Sequence, residues 1–166
     1  MRIIITDKQC LENTLIEEPA LLISIQDHPA ITSNGFQGEP KHCIATLLDT
    51  LVLTFSDLIP EEHQSTWDQP VEKYGVAADQ LIMNRDHARK LWVFLNKKRD
   101  KTPLALVFQD DGDRRAMSMA QAVCNVLGRK PESTLLSLLH SDIKVGGEPP
   151  NRFVFDLVKL GRSLVM

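Results

Sequence analysis

Residues 104–116, LALVFQDDGDRRA, decide the fold prediction because they join a short apolar run to a sharply polar segment. The run at 104–108 has the length and composition of a buried strand. Small and apolar residues then alternate through 116–127, which is typical of a helix packed on a sheet, and Gly128 is expected to end that helix. A strand, a polar loop with a glycine and a helix form an anion cradle, since loop amides and the helix N-terminus present unpaired N–H groups. This arrangement is common in α/β proteins and specifies no reaction by itself.

The rest of the chain also alternates between strand and helix patterns. Apolar runs predict strands at 2–6, 21–25 and 51–55, and helical periodicity predicts helices over 7–16, from 79 or 84 to 98, over 132–140, and after a cap at Asn151. Residues 30–41 and 60–75 are predicted surface loops, the second of them an exposed loop or lid. A β-α-β opening implies parallel strands with a right-handed crossover. We therefore predict a single α/β domain over 1–166, with three layers and a central, mostly parallel sheet of about four strands flanked by helices.

The polar loop resembles part of a known enzyme family. With Gly112 and Arg115 in register, residues 104–123 resemble the signature region of small bacterial dual-specificity-like tyrosine phosphatases. In that family the strand ends in His-Cys, followed by two residues, Gly, two residues, Arg, and Ser or Thr. Similar segments are 22–25 for the second strand, 53–57 for the third strand with its acidic loop, and 148–152 for the late Pro-Asn-Arg segment. The resemblance covers nearly the whole chain and implies the fold of the cysteine-dependent phosphatases.

Three signature positions depart from that family. In the same register Phe108 replaces the histidine, Gln109 the nucleophilic cysteine and Ala116 the hydroxyl residue. A thiolate attacks phosphorus in that family, whereas an amide side chain has no ionisable nucleophilic atom. The resemblance therefore implies a catalytically degenerate member, a pseudophosphatase, in which no catalytic residue is expected. Its degenerate positions are Gln109, Gly112, Arg115 and Asp57. Asp57 stands at the position of the family's general acid, but we prefer a role for it in a turn or a helix cap.

The loop is also strongly acidic. Asp110, Asp111 and Asp113 surround the place where a phosphate dianion would lie. Two like unit charges ~4 Å apart repel by about 4 kcal/mol at an effective dielectric of about 20, so phosphate binding is disfavoured as well as phosphate transfer. The carboxylates could hold Mg²⁺ or Ca²⁺, although the ligand spacing of an EF-hand is missing. We prefer helix capping, or ion pairing with Arg114 or Arg115, over a metal.

Two main functional hypotheses follow from this loop. The first is a noncatalytic, regulatory module that binds a protein partner. The acidic loop would attract an arginine or lysine of that partner. Trp67 of the predicted lid would either anchor the partner or cover the loop. The predicted binding residues are Asp110, Asp111, Asp113, Arg114, Arg115 and Trp67. The second is an atypical hydrolase that uses the carboxylates with a divalent metal, or a water activated by an aspartate, at the carboxyl end of a strand. Trapping of substrate by Gln109 in an otherwise active enzyme is disfavoured, because the histidine and hydroxyl residues are missing as well.

Composition and charge argue against several other classes of protein. A net charge of −3 gives no general attraction to nucleic acid, and the basic residues within 85–101 are expected on the solvated side of a helix. No apolar run reaches the ~20 residues that span a bilayer. The three cysteines, Cys10, Cys43 and Cys124, form no CxxC pair and follow no secretory signal, so we predict reduced thiols and a cytoplasmic protein. The histidines lack metal-ligand spacing, and we expect no metal and no cofactor.

Overall fold

A computed structural model of the 166-residue chain describes residues 2–6, 16–27, 45–56, 81–98, 104–109, 114–128 and 151–165. These described residues hold four strands and three helices. The strands are β1 (Arg2–Thr6), β2 (Ile16–Gln26), β3 (Ala45–Thr54) and β4 (Leu104–Gln109), and the helices are α1 (Arg85–Lys98), α2 (Arg114–Val126) and α3 (Arg152–Ser163).

The strands form one parallel sheet in the order β1-β4-β2-β3. β4 therefore lies between β1 and β2, and Leu106 pairs with Ile4 on one side and with Leu22 on the other. The strand order runs in one direction from β1 through β2 to β3 and then reverses, because β4 returns between β1 and β2. The prediction of an α/β fold with a parallel sheet is confirmed.

One face of the sheet is covered by the three described helices. Leu21, Ile23 and Ile25 of β2 belong to a hydrophobic cluster with residues of all three helices, and α3 packs against both α1 and α2. Side chains alternate between the two faces of a strand. Leu22 and Ser24, which lie between those residues, are also completely buried, so β2 is covered on both faces. Only one layer of helices lies within the described residues, and the three-layer arrangement stays a prediction.

β2 and β3 are longer than the apolar runs that predicted them. β2 begins at Ile16 instead of 21, and β3 begins at Ala45 instead of 51. The prediction that a helix extends to Ile16 is wrong, and residues 7–15 of that predicted helix lie outside the described residues. The pairing of β2 with β3 shifts register between Ile16 and Ala20, and again between Ala20 and Leu21. This irregular first part of β2 contains Pro19, which weakens the strand pattern in the sequence.

The three helices agree with the periodicity that predicted them. The apolar face of α1 is buried, at Ala88, Leu91, Trp92 and Leu95. Gly128 follows α2 with a φ of 65°, the left-handed conformation that commonly ends a helix. Asn151 caps α3, since its side chain accepts a hydrogen bond from the Val154 N–H at 3.2 Å. The helix predicted over 132–140 lies outside the described residues.

Candidate functional site

The predicted site lies where β4 ends and α2 begins. Gln109, at the position of the replaced cysteine, is the last residue of β4, and its backbone pairs with Ile25 of the neighbouring β2. α2 starts at Arg114, so in the chain the acidic residues 110–113 stand between the carboxyl end of an interior strand and a helix N-terminus, as predicted. Six predicted site residues lie outside the described residues: Asp57, Trp67, Asp110, Asp111, Gly112 and Asp113.

Arg115 lies in the first turn of α2 and is almost completely buried, with 5% of its surface exposed. Its Nη1 donates a hydrogen bond to Asp27 Oδ1 at 2.7 Å, which makes an ion pair, and another to the Phe55 carbonyl oxygen. Asp27 directly follows β2, and Phe55 directly follows β3. Arg115 therefore ties α2 to the carboxyl ends of both strands. We call Arg115, Asp27 and the Phe55 carbonyl the arginine clamp.

Asp27 is a site residue that sequence reasoning misses. In the sequence it is one of several polar residues that end the second strand, and it lies 88 positions from Arg115. Among the described residues Arg115 pairs with Asp27, whereas the predicted pairing with the loop aspartates lies outside the described residues and stays a prediction. An aspartate at the end of a strand indicates a site residue only when the neighbouring strand is known. The order of the strands in the sheet cannot be inferred from the sequence.

Further polar side chains are buried around the arginine clamp. Ser24, Gln26 and Ser56 are each less than a tenth exposed. Gln26 Nε2 donates to Ser24 Oγ at 3.3 Å. The Ser56 N–H donates to the carbonyl oxygen of Leu81, which joins the end of β3 to the segment before α1, but Ser56 Oγ has no hydrogen-bond partner among the described residues. A buried hydroxyl without a partner costs about 1–3 kcal/mol, which makes it a candidate contact for a ligand.

The N-terminus of α1 lies beside the arginine clamp. Asn84 Oδ1 accepts from the His87 N–H at 3.0 Å, and the Asn84 N–H donates to His87 Nδ1 at 3.2 Å, a reciprocal cap with histidine in the third helical position. The His87 ring contacts the Phe55 ring, with 5.7 Å between centroids. Burial, followed by the positive charge of Lys90, lowers the pKa of His87, while Asp86 opposes this effect. The neutral ring is the form that can accept at Nδ1.

The late Pro-Asn-Arg segment meets α2 one turn beyond Arg115. The Asn151 N–H donates to Ser118 Oγ at 2.7 Å, and both residues are completely buried. The start of α3 is therefore fixed to α2 close to the arginine clamp. Cys124 lies farther along α2, where it is buried in the hydrophobic cluster, as predicted.

The chemistry available at this edge, within the described residues, is ion pairing and hydrogen bonding. No group of three or more histidine, cysteine, aspartate or glutamate residues in the described part of the chain is placed to hold a metal. No described helix is long and apolar enough to cross a membrane. No protein-family model matches the chain, and neither a curated protein nor a solved structure matches it significantly.

Proposed function

We propose that this chain is a noncatalytic, phosphatase-like (pseudophosphatase) module that binds a protein partner in a regulatory role. The observation that carries the proposal is the arginine clamp. Arg115, at the position of the family's phosphate-binding arginine, is buried and ion-paired with Asp27 at 2.7 Å. A guanidinium that is already paired with a carboxylate offers less attraction to a phosphate dianion. Gln109 at the end of β4 supplies no nucleophile.

The position of the loop in the sheet supports a binding role. Open α/β sheets bind ligands at the carboxyl ends of their strands, near the place where the strand order reverses. β4 returns to the interior of the sheet after β3, and the loop at 110–113 follows it. Asp110, Asp111 and Asp113 give this loop three carboxylates, which favour a lysine or arginine of the partner. We further infer that Trp67 anchors the partner and that the protein works in the cytoplasm without nucleic acid or a cofactor.

The binding role is tested by changing Asp110, Asp111 and Asp113 together to asparagine. Fluorescence anisotropy with labelled arginine-rich and lysine-rich peptides should show weaker binding for this triple variant, because the attraction at the loop is lost. A matched control carries the same charge change at exposed aspartates of the described structure, Asp49, Asp86 and Asp156. Equal weakening in both triple variants would show attraction by overall charge and would refute the loop as the binding surface.

The alternative function, an atypical hydrolase, predicts turnover of para-nitrophenyl phosphate that requires a divalent metal or the loop aspartates. The noncatalytic proposal predicts no turnover with or without Mg²⁺. Turnover that is lost on chelation, or in the triple aspartate variant, would support the hydrolase and refute the noncatalytic proposal. The circular dichroism spectrum of each variant confirms that a lost signal is not lost folding.

A further inference from the structure

β3 lies at one end of the described sheet, with β2 on its inner side. No described strand pairs with its outer side. Asp49 and Val52 of this strand are exposed. An edge strand presents N–H and C=O groups that can pair with another chain, and folded proteins oppose such pairing with charges, bulges or a covering segment. The exposed apolar side chain of Val52 adds to the tendency of this strand to associate.

Both ends of the outer side of β3 have features that oppose strand pairing. At its start the register between β2 and β3 shifts, and Leu48 has no paired residue in β2. At its end the Ser56 N–H donates to the carbonyl oxygen of Leu81, in the segment before α1. A bulge and a covering segment are two of the usual protections of an edge strand. Between them lie residues 49–54, which we call the open edge of β3.

The Thr50 N–H points outward from the open edge. The Phe55 N–H donates to a carbonyl oxygen of β2 at 3.0 Å, whereas the next N–H, that of Ser56, donates away from β2. Successive N–H groups of a strand point to opposite sides, and the pairing over 49–54 is regular, so even-numbered N–H groups point away from β2. The Thr50 N–H donates instead to Asp49 Oδ1, at 2.9 Å. Asp49 therefore occupies an outward donor of the open edge.

We propose that Asp49 protects the open edge of β3 from pairing with a second copy of this chain. Its carboxylate accepts the hydrogen bond that the Thr50 N–H would donate to a second strand, and its charge repels an approaching carbonyl oxygen. The second copy is the matching partner because the open edge is self-complementary. A two-fold axis at Val52 places Val52 of both copies opposite each other, and Thr50 opposite Thr54 in both directions. The proposal is independent of partner binding at the acidic loop, because it concerns the association of this chain with itself.

The test is analytical ultracentrifugation of the wild type and of Asp49→Ala over a wide range of concentration at constant ionic strength. A symmetric dimer regains two outward donors, so we expect the dimer Kd of Asp49→Ala to be at least about tenfold lower than that of the wild type. Asp156→Ala is the matched control, since it removes the same charge at an exposed position of α3. Its association should equal that of the wild type. An equal gain in Asp156→Ala would attribute the effect to net charge and would overturn the proposal.

Hydrogen exchange of the backbone amides locates the new contact. When Asp49→Ala dimerises, the amides of Thr50, Val52 and Thr54 should exchange more slowly, because they then donate to the second copy. The amide of Leu53 points toward β2 and is the internal reference, so its exchange should change little. Dimerisation that leaves the three outward amides unchanged would show contact through another surface and would contradict the proposal.

Two further changes in the Asp49→Ala protein test pairing through the backbone. Thr50→Pro removes the outward N–H, and proline is tolerated on an edge strand where the missing N–H would face outward. Val52→Lys places a charge at the centre of the new contact and replaces the proline variant if circular dichroism shows that the latter does not fold. Each folded double variant should associate as the wild type does. A dimer that persists in every folded double variant refutes the proposal, and so does an Asp49→Ala protein that associates no more than the wild type.

Discussion

At the scale of single residues, the surroundings of Arg115 differ from those of an exposed arginine. An exposed arginine in a polar loop attracts anions, but this arginine is buried and shares its Nη1 between a carboxylate and a carbonyl oxygen. Removing one partner of such a pair leaves an uncompensated group with a large desolvation cost. The ion pair between Lys90 and Asp86 differs, because both side chains are more than half exposed and are solvated without each other. Position 115 is therefore tied to the fold as well as to any ligand.

His87 gives a prediction of pH dependence. Its pKa in the folded protein is lowered from the usual 6.5, first by burial and then by the charge of Lys90. As the pH falls through that usual value, the unfolded chain binds a proton that the folded chain does not, so the free energy of unfolding decreases. Protonation also removes the Nδ1 acceptor from the Asn84 N–H. We expect the urea midpoint of the wild type to fall between pH ~7 and pH ~5.

The control for this prediction is His87→Gln. Glutamine at the third helical position can accept from the Asn84 N–H, as in the usual capping box, and it does not titrate. Its urea midpoint should therefore depend less on pH over the same range than that of the wild type. The other histidines of the chain are the same in both proteins, so the difference between the two curves isolates His87. Parallel curves would contradict this assignment.

The sequence identifies part of the site at this scale and misses the rest. Arg115 is recognised from its spacing to Gly112 and from the strand before them. Asp27 is missed because its role depends on a neighbouring strand. His87 is missed because a cap requires the local backbone conformation, and its histidine differs from the common glutamate or glutamine. The spacing of residues in the sequence predicts which side chains share one loop. Contacts between residues that follow different strands can be predicted only when the sheet topology is known.

At the scale of secondary structure, α1 and α3 pack closely at a glycine. A Cβ atom added to Gly161 would lie 2.6 Å from Ala88 Cβ and 3.0 Å from the backbone carbon and oxygen of Ala88. The same two helices are joined by a hydrogen bond of 2.7 Å from Trp92 Nε1 to the carbonyl oxygen of Val158. The absence of a side chain at position 161 therefore permits this close packing.

We expect Gly161→Ala to lower the free energy of unfolding, measured in urea, by about 1–3 kcal/mol. This loss opposes the gain of about 1 kcal/mol that alanine usually brings to a helix interior. Asp156→Ala, at an exposed position of the same helix, is the control and should change stability little. Adding Ala88→Gly should restore part of the loss, since the contacts with the backbone of residue 88 persist. A Gly161→Ala protein as stable as the wild type would show that the helices separate at no cost.

The elements show where sequence patterns are sufficient. β1 is predicted closely because it is a continuous apolar run, and α1 and α3 because their apolar residues follow the helical period and their ends carry signals such as Asn151. The starts of β2 and β3 are missed because their first residues are not continuous apolar runs. In β3, Leu48 and Asp49 are exposed, which is compatible with its position at the end of the described sheet. Edge positions accept polar and apolar residues alike, so alternation weakens there.

At the scale of the whole molecule, the strand order brings the residues of the arginine clamp together. Because β4 lies beside β2, and β2 beside β3, the first turn of α2 meets residues that follow two other strands. The parallel sheet is predictable from the alternation of strands and helices, but this order is a property of the complete fold. Burial of both faces of β2 shows that this strand is an interior element of the fold. The arginine clamp therefore lies partly in the core of the fold and partly at its surface.

The last prediction concerns Gln109→Cys, which restores a thiol at the position of the missing nucleophile. We expect this variant to have no measurable turnover of para-nitrophenyl phosphate, because Arg115 stays paired with Asp27 and the loop stays acidic. A thiol becomes an effective nucleophile only when its surroundings favour the thiolate, and three loop aspartates oppose that ionisation. The measurement compares Gln109→Cys with the wild type and with Gln109→Ser, whose hydroxyl is a poorer nucleophile. If Gln109→Cys turns over the substrate and the other two proteins do not, the arginine clamp and the loop aspartates do not exclude phosphate. The proposal of a noncatalytic protein would then depend only on the missing thiol.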